Sequence, residues 1–125
     1  MYADFYPKIG YHLPWVGYFV IQHDQVVGSC SFVGQPADGR VEIAYWTFKE
    51  FEGQGIASFA CTELLAIAKQ TDPNLIITAK TAPEKNASTH ILEQHHFVLT
   101  EIVHDDEIGE AWLWTYRMKG SDRLL

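Results

Sequence analysis

A turn with two glycines lies between a strand-like and a helix-like segment of this 125-residue sequence. Residues 41–46 alternate and are rich in β-formers, Gly53 and Gly55 form the turn, and residues 56–70 carry apolar side chains at helical spacing. Glycine lets the backbone approach a ligand closely, and the start of a helix leaves backbone N–H groups without partners. Those groups and the positive end of the helix dipole attract phosphate. The pattern therefore predicts a phosphate-bearing cofactor at this turn.

Two common nucleotide-binding motifs can be tested against the same turn. The dinucleotide-binding fingerprint needs a third glycine, where this sequence has Ser58, although Asp72 is near the position of the acidic residue that follows it. The P-loop needs Gly-Lys-Ser or Gly-Lys-Thr, and neither tripeptide occurs. Both motifs are excluded, so a phosphate at this turn would belong to another class of cofactor.

Hydrophobic periodicity predicts a single mixed α/β domain over residues 1–125 with the element order β-β-β-α-β-α-β-β. The predicted strands are 18–22, 26–33, 41–48, 75–79, 97–103 and 111–118, and the predicted helices are 56–70 and 87–94. The strand at 75–79 is apolar enough to be central and parallel to its predecessor through a right-handed crossover, with antiparallel strands outside it. Residues 1–16 are expected to form an irregular or short helical lead-in, and residues 119–125 a flexible tail.

Composition and charge narrow the possible partners. The formal net charge of −7 argues against nucleic acid, which needs clustered Lys and Arg, and it would suit a cationic acceptor, although solubility explains most of it. The sequence contains neither a bilayer-length apolar run nor a signal peptide, so no membrane partner is expected. Cys30 and Cys61 lie far apart and resemble small buried hydrophobes of a reducing compartment, which favours a cytoplasmic location.

Three segments carry a resemblance to a known family. Residues 41–46 place Glu42 before an Ala-Tyr-Trp run, residues 52–57 contain the glycine turn, and residues 83–93 open the next helix with the sequence PEKNASTHILE. In this order and at these intervals, they resemble the GNAT superfamily of acetyl-coenzyme A-dependent N-acetyltransferases. The most similar branch is the RimJ/RimL-like one, which acetylates protein N-termini and other primary amines. The resemblance covers residues 18 to about 118 and implies acetyl-CoA as cosubstrate with a small-molecule or peptide amine as acceptor.

The resemblance also implies a set of cofactor-binding residues. The pyrophosphate would contact the backbone and hydroxyl groups of Gly53, Gln54, Gly55, Ile56, Ala57 and Ser58. The pantetheine arm would pair with the main chain of Tyr45, Trp46 and Thr47, and it would approach Asn86 and Ser88. For the Trp46 side chain, packing in the core is the better expectation.

Acetyl transfer by direct attack in a ternary complex needs a base, an oxyanion site and a partner for the leaving sulfur. Glu42 is the candidate general base, acting through a water, and the alternative is an exposed strand Glu paired with Lys or Arg. Ser88 is the candidate partner of the sulfur, and the alternative is a hydrogen bond at the helix N-terminus. Backbone N–H groups, where the third predicted strand diverges from its neighbour, would hold the oxyanion.

Several positions depart from the family pattern. Glu50 stands where Gln or Arg is usual, Glu52 stands where a basic residue is frequent, and Leu92 occupies the position of the tyrosine that often protonates the thiolate. His96 replaces a glycine before the next strand. Only about sixteen residues remain for the N-terminal strand and helices that usually form the acceptor wall. A non-catalytic acyl-CoA-binding or regulatory module therefore stays open beside the enzyme.

Other candidate residues favour structural roles. His90, His95 and His96 lack a carboxylate at ligand spacing, so no metal site is predicted. Trp112 and Trp114 alternate on the last strand and are expected to pack on the sheet or form a dimer contact, and the alternative is that they line the acceptor cleft. The acidic residues at 105–107 either form a solvated hairpin tip or steer a cationic acceptor. A homodimer is the expected assembly.

Overall fold

The computed structural model describes residues 4–7, 14–47, 52–107 and 109–117. Its seven strands are β1 (Asp4–Pro7), β2 (Gly17–Gln22), β3 (Gln25–Phe32), β4 (Arg40–Thr47), β5 (Ile76–Thr81), β6 (Phe97–Asp105) and β7 (Gly109–Tyr116), and its helices are α1 (Ile56–Thr71) and α2 (Ala87–Gln94). The strands form one sheet in the order β1-β2-β3-β4-β5-β7-β6. Among the described strands, only β4 and β5 pair in parallel, with α1 between them in the chain. The predicted mixed sheet and its central parallel pair are confirmed.

The N-terminal segment contains a strand that the sequence did not predict. Asp4–Pro7 pairs antiparallel with β2, with Phe5 opposite Val20. The expectation of an irregular or helical lead-in was therefore wrong for these four residues. An edge strand needs only one backbone partner, and Pro7 stands at its end, where a missing N–H is tolerated. The rest of the segment before residue 14, and the predicted tail at 119–125, lie outside the described residues.

The core lies between the sheet and the helices. Ala60, Leu64 and Ala68 form the buried face of α1, as the helical spacing predicted, and α1 packs against β3 and β4. On α2, Leu92 is buried beside the sheet in the same cluster as Phe97. Within the described part of the chain, neither helix is long and apolar enough to cross a bilayer. The two helices thus cover the sheet and fix where the connecting loops emerge.

The two parallel strands diverge at their carboxyl ends. Their pairing ends at Ile43 and Ala79, but β4 continues to Thr47 beside β3, and β5 continues to Thr81 beside β7. Residues 44–47 therefore leave the β5 side of β4 open, because β5 no longer follows it. Ligands of open α/β sheets bind outside the carboxyl ends of parallel strands. The divergence places the candidate site here.

Helix α2 begins and ends with defined caps. The Asn86 side chain accepts a hydrogen bond from Thr89 N at 3.2 Å, and Thr89 Oγ1 accepts one from Asn86 N at 2.9 Å. This reciprocal pair is a capping box. At the other end, His96 adopts the left-handed conformation with φ of 71° and takes the place of the glycine that is usual there.

Candidate active site

The predicted base, Glu42, lies in a cluster of charges at the divergence of β4 and β5. Lys80 Nζ is 3.6 Å from Glu42 Oε1 and 3.3 Å from Asp105 Oδ2. Burial lowers the pKa of Lys80, but the two carboxylates outweigh burial and raise its pKa above the usual value. The Lys80 side chain therefore remains an ammonium between them. Glu42 is partly shielded, as expected of the base, and it is paired with a lysine, as the alternative expected, so its role as a base stays a prediction.

Glu42 also lines the first of two cavities that converge on the site. This cavity has a volume of about 790 Å³ and lies along β4, where residues 42–46 all contribute to its lining. Asp105, Glu107 and Lys80 contribute the opposite charged lining, and Ser88 and Leu92 contribute the side towards α2. Among the described lining residues, three carboxylates against one ammonium give this cavity an anionic character.

Trp46 lies on this cavity and not in the core. Its side chain is 55% exposed, so the expectation that it packs in the core was wrong. Alternation along β4 places Trp46 on the same face as Glu42, and β5 no longer runs beside β4 at this point. The large ring therefore has no β5 side chains beside it to pack against, and it forms part of the cavity lining.

The second cavity, of about 510 Å³, is formed by the glycine turn and the first turns of both helices. Gly53 and Gly55 have φ of 83° and 79°, and a Cβ built on either would meet no protein atom within 4 Å. The first helical N–H bond runs from Phe59 to Gly55, so the N–H groups of residues 56–58 precede the helical ladder. The open glycine backbone and these donors fit a phosphate group.

Glu52 also lines the second cavity and is exposed there. It places a negative charge beside the donors of the helix N-terminus, and α1 has no acidic residue in its first turn to occupy them. Glu50, the other acidic departure, lies outside the described residues.

Of the residues that the structure describes, two line both cavities, Tyr45 on β4 and Ser88 on α2. The Tyr45 hydroxyl oxygen is buried. Burial raises the pKa of Tyr45 well above its usual value and outweighs the opposing effect of the Ser88 hydroxyl. Cys61 acts electrostatically on the same phenol, and burial alone raises the pKa of its thiol to about 12. Tyr45 therefore keeps a neutral hydroxyl where the two cavities meet.

The comparison with protein families decides the family of the chain. The sequence model of the acetyltransferase (GNAT) domain matches residues 2–98. The chain belongs to the GNAT acetyltransferase family. Among curated proteins, none matches this GNAT chain significantly.

Solved GNAT structures share its fold. RimL, a ribosomal L7/L12 alpha-N-protein acetyltransferase crystallised with coenzyme A, superposes with a TM-score of 0.70 at 21% identity, over 80% of this chain and 60% of RimL. The Salmonella typhimurium acetyltransferase that modifies the N-terminal serine of L7/L12 gives 0.70 at 20%, over 83% and 64%. An N-acetyltransferase from Staphylococcus aureus Mu50 gives 0.70 at 16%, over 83% and 68%. The chain spans about three fifths of the length of RimL.

The GNAT fold brings most of the predicted site residues together. Tyr45, Gly53, Gly55, Ile56, Ala57, Ser58 and Ser88 line the second cavity, and Glu42, Tyr45, Trp46 and Ser88 line the first. Gln54 and Asn86 line neither, and the Asn86 oxygen is used by the helix cap. The Thr47 backbone pairs with Gly28 on β3. The cofactor contacts and catalytic roles of all these residues stay predictions.

Sequence reasoning missed the charged partners of Glu42. Lys80 follows the predicted strand at 75–79, and Asp105 was placed in a solvated hairpin tip or an acceptor-steering turn. β6 extends through Asp105 and β5 through Thr81, which brings both side chains to the cavity. Alternation with Thr78 could have placed Lys80 on the same face of the sheet as Glu42, whose register partner is Thr78. Among the residues with described positions, no cluster of His, Cys, Asp and Glu could hold a metal ion.

Proposed function

We propose that this chain is an acetyl-CoA-dependent N-acetyltransferase that transfers an acetyl group to a primary amine by direct attack. The observation that carries the proposal is the meeting of two cavities at Tyr45 and Ser88. One cavity offers a phosphate-binding backbone, and the other offers a carboxylate base. A thioester held along the glycine-turn cavity could present its carbonyl carbon to an amine held in the Glu42 cavity.

The cofactor side rests on the glycine turn and α1. The N–H groups that precede the helical ladder would donate to the pyrophosphate, supported by the positive end of a sixteen-residue helix. The open β5 side of residues 44–47 would pair main-chain groups with the amides of the pantetheine arm, as an added strand does. Coenzyme A, which is bound in the RimL structure, matches this arrangement.

The acceptor side rests on the charges of the first cavity. Amines are protonated at neutral pH, so an anionic cavity concentrates them as ammonium ions. Glu42, through a water, would then take a proton, because an ammonium has no lone pair with which to attack. As the C–N bond forms and the C–S bond breaks, N–H groups at the divergence would stabilise the oxyanion, and Ser88 would face the sulfur.

The acceptor class follows from the same lining. An anionic cavity suits a peptide N-terminus or a small primary amine, and the RimL neighbours act on a ribosomal protein N-terminus. The homodimer and the cytoplasmic location inferred from the sequence stay predictions.

A non-catalytic acyl-CoA-binding or regulatory module is the second candidate. Glu52 in the cofactor cavity and the pairing of Glu42 with Lys80 favour it, because the first weakens phosphate binding and the second occupies the base. Such a module would bind coenzyme A without turning over any amine.

The two candidates are separated by an assay of thiol release from acetyl-CoA with a serine-initiated peptide and a panel of small primary amines. We expect turnover that falls about 10²- to 10⁴-fold in Glu42→Gln, the usual contribution of a general base. Glu110→Gln removes the same charge from an exposed position on β7 outside both cavities and should leave turnover unchanged. Coenzyme A binding in calorimetry without turnover on any amine would support the non-catalytic module. The absence of binding would remove both candidates.

A further inference from the structure

The hydroxyl of Tyr45 is a buried polar group that forms no hydrogen bond among the described residues. The ring of the same residue packs against the core. A buried hydroxyl without a partner costs free energy, so such groups are uncommon and frequently mark functional sites. Ser29 Oγ is the other buried side-chain oxygen of this kind among the described residues, and it lines neither cavity.

The position of this hydroxyl connects it to the proposed reaction. Tyr45 shares with Ser88 the wall between the two cavities, which an acetyl thioester must cross to meet an amine. Ser88 is near enough to act on the Tyr45 phenol. An aliphatic hydroxyl accepts one hydrogen bond while donating another, and its hydrogen rotates to suit its neighbours.

The fold leaves Ser88 available for this contact. Asn86 and Thr89 complete the cap of α2 between them, so the Ser88 side chain has no role in it. Ser88 is exposed to the cavities. Burial raises the pKa of the Cys61 thiol and of the Tyr45 phenol, so both groups are neutral and the phenol keeps its hydrogen.

We infer that Tyr45 is a positioning residue for the leaving sulfur: its Oη–H, unpaired in the free protein, donates to Ser88 Oγ when the thioester is bound, and this turns the Ser88 O–H towards the sulfur. The inference rests on the proposed transferase function and adds a role for a side chain assigned so far only through its main chain. When the C–S bond breaks, its electron pair stays on sulfur, and Ser88 donates a hydrogen bond to the thiolate. Tyr45 and Ser88 both keep their protons. The thiolate takes its proton from water, and the amine proton leaves through Glu42.

Two matched substitutions, Tyr45→Phe and Tyr18→Phe, distinguish this positioning role from a role in packing. Tyr45→Phe should lower kcat about tenfold, as the loss of one orienting hydrogen bond does, with the affinity for coenzyme A unchanged. Its stability should hold or rise, because the substitution removes a buried unpaired hydroxyl. Tyr18→Phe is the matched control, since Tyr18 is also buried, lines neither cavity and donates to Pro14 O at 2.8 Å. It should lose stability and keep kcat.

A double-mutant cycle tests whether Tyr45 acts through Ser88. In the Ser88→Ala background, Tyr45→Phe should lower kcat no further, because the orienting bond has lost its acceptor. If the decreases in kcat of the two single variants multiply in the double variant, Tyr45 and Ser88 act independently and the inference is overturned. A wild-type kcat in Tyr45→Phe would overturn it as well. In both cases wild-type turnover would still support the transferase function. A wild-type protein without turnover on any amine would overturn the function and this inference together.

Discussion

Glu52 gives a sharp test of the cofactor cavity, because it places a carboxylate where a pyrophosphate would bind. At a separation of about 7 Å and an effective dielectric constant of about 40, Coulomb's law gives about 1 kcal/mol of repulsion for each phosphate charge. The Debye length of about 8 Å at physiological salt reduces this to about 0.5 kcal/mol. Two phosphate charges therefore weaken binding by about 1 kcal/mol, and Glu52→Gln should lower the Kd for coenzyme A about fivefold.

Isothermal titration calorimetry at two salt concentrations measures this effect. At about 1 M salt the Debye length falls to about 3 Å, so the gain from Glu52→Gln should almost disappear. Glu110→Gln makes the same change in net charge at an exposed site outside the cavity and should leave the Kd unchanged. Equal gains in both variants would mean that net charge, and not the position of Glu52, controls binding. No gain in Glu52→Gln at low salt would refute the assignment of the pyrophosphate to this cavity.

Three further predictions concern stability, each measured by chemical denaturation. His96→Gly should stabilise the fold by about 1 kcal/mol, because relief of about 1–2 kcal/mol of left-handed strain exceeds the added chain entropy of glycine; a destabilised variant would contradict this. Burial raises the pKa of Cys61 from 9.0 to about 12, so the native thiol keeps a proton that the unfolded thiol loses. The contribution of the Cys61 thiol to the free energy of unfolding is complete below pH 9 and should decline by about 1.4 kcal/mol per pH unit above it. The free energy of unfolding of Cys61→Ala should therefore decline less steeply with pH than that of the wild type. Parallel curves would refute the account. Trp114→Phe should cost about 2–3 kcal/mol through lost volume and the lost 3.0 Å bond to Thr81 Oγ1, and a loss equally large in the Thr81→Val background would exclude the bond as a contributor.

Most of the fold could be predicted from local patterns in the sequence. The helix at 87–94 has the predicted bounds, and α1 extends one residue beyond its predicted end, because apolar spacing and end signals act within a few residues. The strand Asp4–Pro7 could not be predicted, since it depends on a backbone partner in β2 and not on its own periodicity.

In the site too, some features follow from the local sequence, and others depend on tertiary contacts. The glycine turn is encoded locally, and it occupies the predicted place at the start of α1. The exposure of Trp46 depends on where β5 leaves β4, and the charge cluster depends on the distance to which β6 extends. Neither the end of the β4–β5 pairing nor the length of β6 can be predicted from the residues next to Trp46 or Glu42.

The cap of α2 separates two tasks that one short segment could otherwise combine. Asn86 and Thr89 form the cap of the helix by themselves, and the Ser88 side chain between them takes no part in it. Substitutions at Ser88 can therefore change how the protein treats its leaving group at little expense to the helix. During evolution, Ser88 can therefore be substituted to suit another acyl donor while Asn86 and Thr89 keep the helix capped.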